Sequence, residues 1–171
     1  MDESNERSNV MVKSIIGCIV LVGALVCSGD ITNVSQCINT NLTAEMLAQF
    51  PNNPTLTVQN CVLTFVKGSV NGDLKVFAAS FSAEIRSSEF GISDLDNIPV
   101  AIRTEFSSLM TSVTNCTSRV TSYAETTNNG VVRATLVLRR QGVGYNRVEV
   151  SHLDIAHTNG TWRIINWDVD E

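Results

Sequence analysis

The sequence predicts an α+β domain: a helical half followed by an antiparallel four-strand sheet at the C-terminal end. Three observations predict it. From Thr117 onward four apolar-rich runs follow one another, Thr117–Glu125, Val131–Arg140, Arg147–His157 and Thr161–Val169. Their separators are Asn128-Asn129-Gly130, Gln141-Gly142-Val143-Gly144 and Asn159-Gly160. Asn-Gly between such runs signals a hairpin, because both central residues of the tight turn need positive φ. Earlier in the chain, apolar residues recur at helical spacing instead. With 171 residues, 43% hydrophobic and 17% charged, the chain has length and composition for one cored domain plus a tail.

The tail comes first. Residues 1–29 hold a polar start and then the apolar run Ile15–Cys27, with Lys13 before it and Asp30 after it. That run is short for a bilayer span of about 20 residues and right for the apolar region of a signal peptide. Read from Met11, it has the signal-peptide shape; read from Met1, the same run serves as a single anchor. Either way the domain is expected outside the cytoplasm, secreted or membrane-anchored, and meets the membrane only through this segment. Residues 30–53 read as an Asn/Thr-rich linker with one short helix, Ala44–Phe50, capped by Thr43. Of the Asn-x-Ser/Thr sequons, Asn33 and Asn41 lie in this linker and are the expected glycosylation acceptors, ahead of Asn115 and Asn159.

The domain proper is expected over residues 54–171. Asn53-Pro54 reads as a helix entry, Val58, Cys61, Val62, Phe65 and Val66 give an apolar face, and Gly68 and Asn71-Gly72 end the helix. Asp73 then caps a second helix carrying Leu74, Phe77, Ala78 and Phe81. Glu84–Phe90 loses the period and reads as a short irregular strand. A third helix starts at Asp94 or Asp96, tolerates Pro99 in its first turn, and carries the stripe Ile98, Ile102, Phe106, Leu109, Met110 and Val113. The meander is the sheet available for that stripe to cover.

Several function classes drop out on composition. Net charge is −5, there is no basic run, and Arg139-Arg140 reads as a solvated strand end, so nucleic acid is not an expected partner. Two histidines and no Cys-x-x-Cys spacing give no metal site, and no phosphate loop or nucleophile elbow implies a cofactor or a serine hydrolase. Of the five cysteines, Cys37, Cys61 and Cys116 follow the apolar run. In an oxidising compartment they allow three pairings and leave one thiol; the favoured disulfide is Cys61–Cys116, stapling the first helix to the sheet.

Two local patterns carry a resemblance. Phe65-Val-Lys-Gly-Ser-Val-Asn-Gly72-Asp73-Leu74 followed by Phe81, and Asn159-Gly160-Thr161-Trp162-Arg163-Ile164 at the last hairpin, resemble the nuclear transport factor 2-like superfamily, which includes the SnoaL-like and ketosteroid isomerase-like proteins. The resemblance runs from about Pro54 to Glu171. It implies a strongly bent sheet wrapped around three helices as a cone, with a pocket at the open end and a homodimer through the outer sheet face. It implies no single function, since the superfamily holds enzymes, transport factors and assembly domains.

Against the isomerase branch, Glu89 falls at the position of the proton-shuttling carboxylate and Asp154 at that of the neutral acid beside the enolate oxygen. Phe65 stands where that branch has a tyrosine hydroxyl, a departure that removes an oxyanion donor worth about 3–4 kcal/mol. Catalysis would be proton abstraction next to a carbonyl by Glu89, with Asp154 as the supporting acid. His152 shares a strand face with Asp154 and is a candidate dyad partner. Phe65, Tyr123, Arg133, His152 and Asn166 are pocket candidates. Trp162 and Trp167 are five residues apart and are expected on opposite faces of the last strand, the outward one hinting at dimerisation. The leading expectation is a non-catalytic domain binding a small molecule or peptide. An isomerase, cyclase or dehydratase and a structural assembly domain are the alternatives.

Overall fold

The computed structural model describes residues 46–111, 116–142 and 145–170. The leader, Asn33, Asn41, Cys37, Asn115, Thr43 and Val143-Gly144 lie outside the described residues, as do the side chains of Leu109 and Met110. Among the described residues, after the helical residues 46 and 47, come α1 (Gln59–Asn71), α2 (Leu74–Ala79), α3 (Ala83–Phe90), α4 (Val100–Thr111), β1 (Thr117–Asn128), β2 (Val131–Gly142), β3 (Tyr145–Thr158) and β4 (Thr161–Asp170). The strands form one antiparallel sheet in the order β1-β2-β3-β4. Among the described residues no helix is long and apolar enough to cross a membrane.

Both Asn-Gly turns form as their chemistry requires. Asn129 and Gly130 have φ of 50° and 78°, and Asn159 and Gly160 have 50° and 81°, the two consecutive positive values of the hairpin turn that matches strand twist. One face of the sheet is apolar and covered. Val120, Tyr123, Val132, Ala134, Leu136, Leu138, Leu153, Ile155 and Ile164 are buried there together with Val58, Val62, Phe65, Phe77, Phe81 and Phe106 of the helical half.

The helical half agrees with the expected boundaries at one of four points and departs from them at the other three. First, α1 begins at Gln59, not at Pro54: a turn closed by Val58 N–H and Gln59 N–H on the Thr55 carbonyl comes before it. Gly68 does not end α1 but lies inside it. It is the point where α1 meets α2, since a Cβ there would lie 2.2 Å from the Phe77 nitrogen. Second, Asp73 caps α2 as expected, accepting from Val76 N–H at 3.0 Å. Third, Glu84–Phe90 is helical, not extended. Ser82 Oγ accepts from Ile85 N–H at 3.3 Å and starts α3, a cap that outweighs the missing apolar period. The extended piece is Phe81 alone, bridged in parallel to Ile164, with Ser82 N–H and Ile164 N–H each bonded across at 2.9 Å. Fourth, α4 starts after Pro99, beyond Asp94 and Asp96, which stay in the preceding loop; Lys75 pairs with Asp96 at 2.7 Å. The described part of the α4 stripe packs on α2 and on the loop before α4: Ile98 and Ile102 pack with Ala78, Ile92 and Leu95, and Phe106 meets the Phe77 ring at 6.3 Å.

Two irregularities tune the sheet. Between β1 and β2 the register slips at Thr121. Between β3 and β4, Asp154 pairs with Asn166 while Ile155 pairs with Ile164, which leaves Ile165 as the extra residue of a β-bulge. The second bulge reverses the parity of everything after it. Trp162 is opposite His157 and Trp167 opposite Leu153, so both tryptophans lie on the core face and pack against the core. The expected outward tryptophan does not exist.

Candidate functional site

The covered face of the sheet carries an aromatic group built from four segments. Phe65 comes from α1, Phe77 and Phe81 from α2 and its end, Phe90 from the end of α3, and Trp167 from β4 beyond the bulge. Trp167 lies 5.9 Å from Phe65, 5.7 Å from Phe77, 5.7 Å from Phe81 and 6.4 Å from Phe90, ring centre to ring centre. The mutual angles are tilted or edge-on, the arrangement aromatic quadrupoles favour. Within this apolar group the indole Nε1–H of Trp167 is buried and has no hydrogen-bond acceptor among the described residues. Such a donor costs about 1–3 kcal/mol to leave unmade.

Tyr123 is also on the covered face, buried, with its ring edge-on to Phe50 at 5.4 Å. Its hydroxyl donates to Glu125 Oε1 at 2.5 Å, and Thr55 N–H donates to the same oxygen at 2.9 Å. Burial, and then the Glu125 carboxylate it donates to, push the Tyr123 phenol well above its ordinary range. Tyr123 therefore works as a latch holding residues 50–55 to β1.

The remaining pocket candidates are not in the interior. Cross-strand pairing puts Arg133 opposite Asp154 and Asp154 opposite Asn166, all on the outer face. Arg133 donates to both oxygens of Asp154 at 2.7 and 2.9 Å, and Asn166 Nδ2 donates to Oδ2 at 3.2 Å. The Arg133 guanidinium, helped by Asn166, holds the Asp154 carboxyl below the usual carboxylate range despite partial burial. That is the opposite of the neutral acid an enolate would need.

His152 does share the outer face with Asp154, as the alternation requires, but bonds elsewhere: Nδ1 to Thr135 Oγ1 and Nε2 to Asp170 Oδ2, each at 3.1 Å. Glu89 sits in the last turn of α3, beside Phe90, which packs into the core, and accepts from Ser88 Oγ at 3.3 Å. Glu89 and Asp154 thus belong to opposite sides of the sheet, and the acid–base pair is not brought together.

Among the described residues Cys61 and Cys116 are both buried and both free, so the favoured disulfide between them is not formed. The Cys61 thiol donates to the Ser80 carbonyl at 3.4 Å, and burial pushes its pKa from 9.0 up to about 12.

Sequence reasoning missed a buried ion pair, Arg140 with Glu149. Arg140, expected at a solvated strand end, is 0% exposed. Its Nε donates to Glu149 Oε2 at 3.1 Å, and its Nη2 donates to Ser69 Oγ of α1 at 3.0 Å. Glu149 is 2% exposed, and Arg147 approaches it at 3.7 Å. The available signal was parity: Arg140 continues the alternation Val132, Ala134, Leu136, Leu138, whereas Arg139 belongs to the other face.

An open trough of about 550 Å³ lies along α4, lined by Val100, Arg103, Thr104, Ser107 and Ser108; none of the candidate residues lines it. Among the described residues no cluster of His, Cys, Asp or Glu has the makings of a metal site. Compared with known proteins, the chain matches no family model, no curated protein and no solved structure.

Proposed function

We propose that this chain is a binding domain of the nuclear transport factor 2-like type, exported or membrane-tethered, with its sheet bent around the helices as a cone and an interior that takes a small molecule or peptide side chain. The order of helices and strands, the Asp73 cap after Gly72 and the final Asn-Gly hairpin support the family reading. The observation that carries the binding reading is the Trp167 N–H, a buried donor without an acceptor among the described residues, amid Phe65, Phe77, Phe81 and Phe90. The fitting ligand is apolar, with one carbonyl-type acceptor placed to receive that N–H. Acid–base catalysis by Glu89 and Asp154 is not part of this reading, because the two are apart and Asp154 is held ionised.

Native mass spectrometry of the protein purified from its own host tests the proposal. The expected spectrum shows a discrete additional small-molecule mass on the wild-type chain and loss of that mass in Trp167→Phe, which keeps a ring but deletes the donor. A folded wild-type chain that carries no such mass, and shows no shift of Trp167 emission when host small-molecule extract is added, overturns it. A structural assembly role is the second reading, favoured by the density of aromatic side chains filling the interior.

A further inference from the structure

Two arginines meet where the segment leading into α3 runs beside the edge of β4. Backbone bonding defines that edge. Ser82 N–H donates to the Ile164 carbonyl and Ile164 N–H to the Ser80 carbonyl, each at 2.9 Å, so Ile164 turns its polar groups away from β3. In an antiparallel ladder these groups alternate between the two edges of a strand. The Trp162 carbonyl, two residues earlier and before the bulge, therefore points to the same side. Arg163 Nη1 donates to that carbonyl at 3.1 Å, which folds its guanidinium over the edge of β4. Arg86, one turn beyond the Ser82 cap, donates from Nη1 to the Phe81 carbonyl at 3.0 Å, and Phe81 is bridged to Ile164. Both guanidiniums are thus tied to carbonyls of one junction, and both residues are half-buried. The junction lacks negative charge. Among the described residues neither arginine has a carboxylate within ion-pair distance, and Arg86 Nε is buried with no acceptor. Burial, and then the Arg163 guanidinium, pull Arg86 below the ordinary arginine range. The Arg163 charge is also felt by the Cys61 thiol, which donates to the Ser80 carbonyl at the same junction. Arginine nevertheless stays protonated in proteins, so the fold holds two like charges near each other without a counterion of its own.

We propose that the α3–β4 junction binds an oxyanion, the carboxylate or phosphate group of a small molecule, between the guanidiniums of Arg86 and Arg163. Guanidinium N–H groups not used on the Phe81 and Trp162 carbonyls donate to its oxygens, the planar fork being matched to carboxylate and phosphate geometry. The charge of the anion offsets the repulsion between the two arginines. The site does not depend on the interior ligand reading, because its donors are Arg86 and Arg163 rather than Trp167, and Trp167→Phe leaves both donors in place.

Proton–nitrogen correlation NMR of the full chain provides the test, since it reads the arginine Nε–H resonances directly. Sodium phosphate and sodium acetate are added separately at neutral pH, with sodium chloride lowered to hold ionic strength constant. The Arg86 and Arg163 resonances, assigned with Arg86→Lys and Arg163→Gln, are expected to move together and to saturate. Saturation with phosphate alone identifies a phosphate group as the ligand; saturation with acetate identifies a carboxylate. Arg163→Gln is expected to weaken binding at least about tenfold, because a hydrogen bond to a charged group is lost. Arg86→Lys, which keeps the charge but not the fork, is expected to weaken it as well. Shifts that grow without saturating in both salts overturn the proposal, and so does binding that survives both substitutions undiminished. Should Arg86→Lys unfold the chain through loss of the bond to Phe81, Arg163→Gln carries the comparison alone, since its bond is to the carbonyl of its own neighbour. Undiminished binding in that variant overturns the site.

Discussion

Arg139 and Arg140 are neighbours in sequence, yet one is in solvent and the other is the largest fully buried side chain among the described residues. Strand alternation alone separates them. Burying a guanidinium is tolerable here because Glu149 is buried with it and because Ser69 takes a second N–H, so the pair ties α1 to the β2–β3 hairpin. The attraction between such groups is largely offset by their desolvation, whereas leaving either one alone in the core is costly. Arg140→Met is therefore expected to destabilise the domain by about 3–5 kcal/mol, and Glu149→Met by a similar amount. The double replacement is expected to cost far less than the two single costs added. Urea midpoints of the four proteins at one pH measure this coupling; strict additivity would mean that the ion pair is incidental and that each residue acts through packing alone.

At the scale of elements, the single extra residue at Ile165 decides which side of the sheet Trp167 occupies. Were Ile165 paired as a regular strand residue, alternation from Ile164 would place Trp167 in solvent and Asn166 in the core. Deleting Ile165 removes the extra residue and leaves Ile164, Asn166 and Trp167 in regular alternation opposite Ile155, Asp154 and Leu153, so the tryptophan emission maximum is expected to stay unchanged and the melt cooperative. A red-shifted emission after the deletion would show that the bulge itself, and not the alternation, keeps Trp167 on the core face. The bulge also explains why the site was only partly legible in the sequence. The meander was readable because Asn129-Gly130 and Asn159-Gly160 declare their turns locally, and the faces of β3 followed from alternation. A bulge has no such local signature here: Ile-Ile-Asn is compatible with regular strand, and only the fit of Trp167 against Phe65 and Phe77 selects the slip. The same holds for α3. Its Ser82 cap was present in the sequence, but Ala83–Phe90 has too few apolar residues for a helical period, and its position is fixed by Phe90 and by the Phe81–Ile164 bridge. Arg133, His152 and Asn166 were assigned to a pocket by resemblance, and the cross-strand register sends all three outward.

For the whole molecule, stability must depend on pH through groups that the fold keeps protonated. Cys61 is the clearest case. In the unfolded chain a thiol ionises near pH 8.5, whereas in the folded domain burial raises it to about 12. Below pH 8.5 both states hold the proton and the thiol contributes no pH dependence. Between the two values the unfolded chain releases a proton that the folded chain keeps, so unfolding becomes more favourable as pH rises, by at most about 1.4 kcal/mol per pH unit. Tyr123, also raised by burial and by donating to Glu125, adds a second slope of the same sign once the unfolded phenol ionises near pH 10. The unfolding free energy from urea titrations is thus expected to decline from about pH 8.5 upward and to decline more steeply past about pH 10. Cys61→Ala separates linkage from packing. Loss of the buried side chain lowers stability by the same amount at every pH, whereas loss of the proton removes the slope between pH 8.5 and 10. Parallel curves for wild type and Cys61→Ala across that interval would mean that the Cys61 thiol ionises alike in both states and that the fold does not shield it.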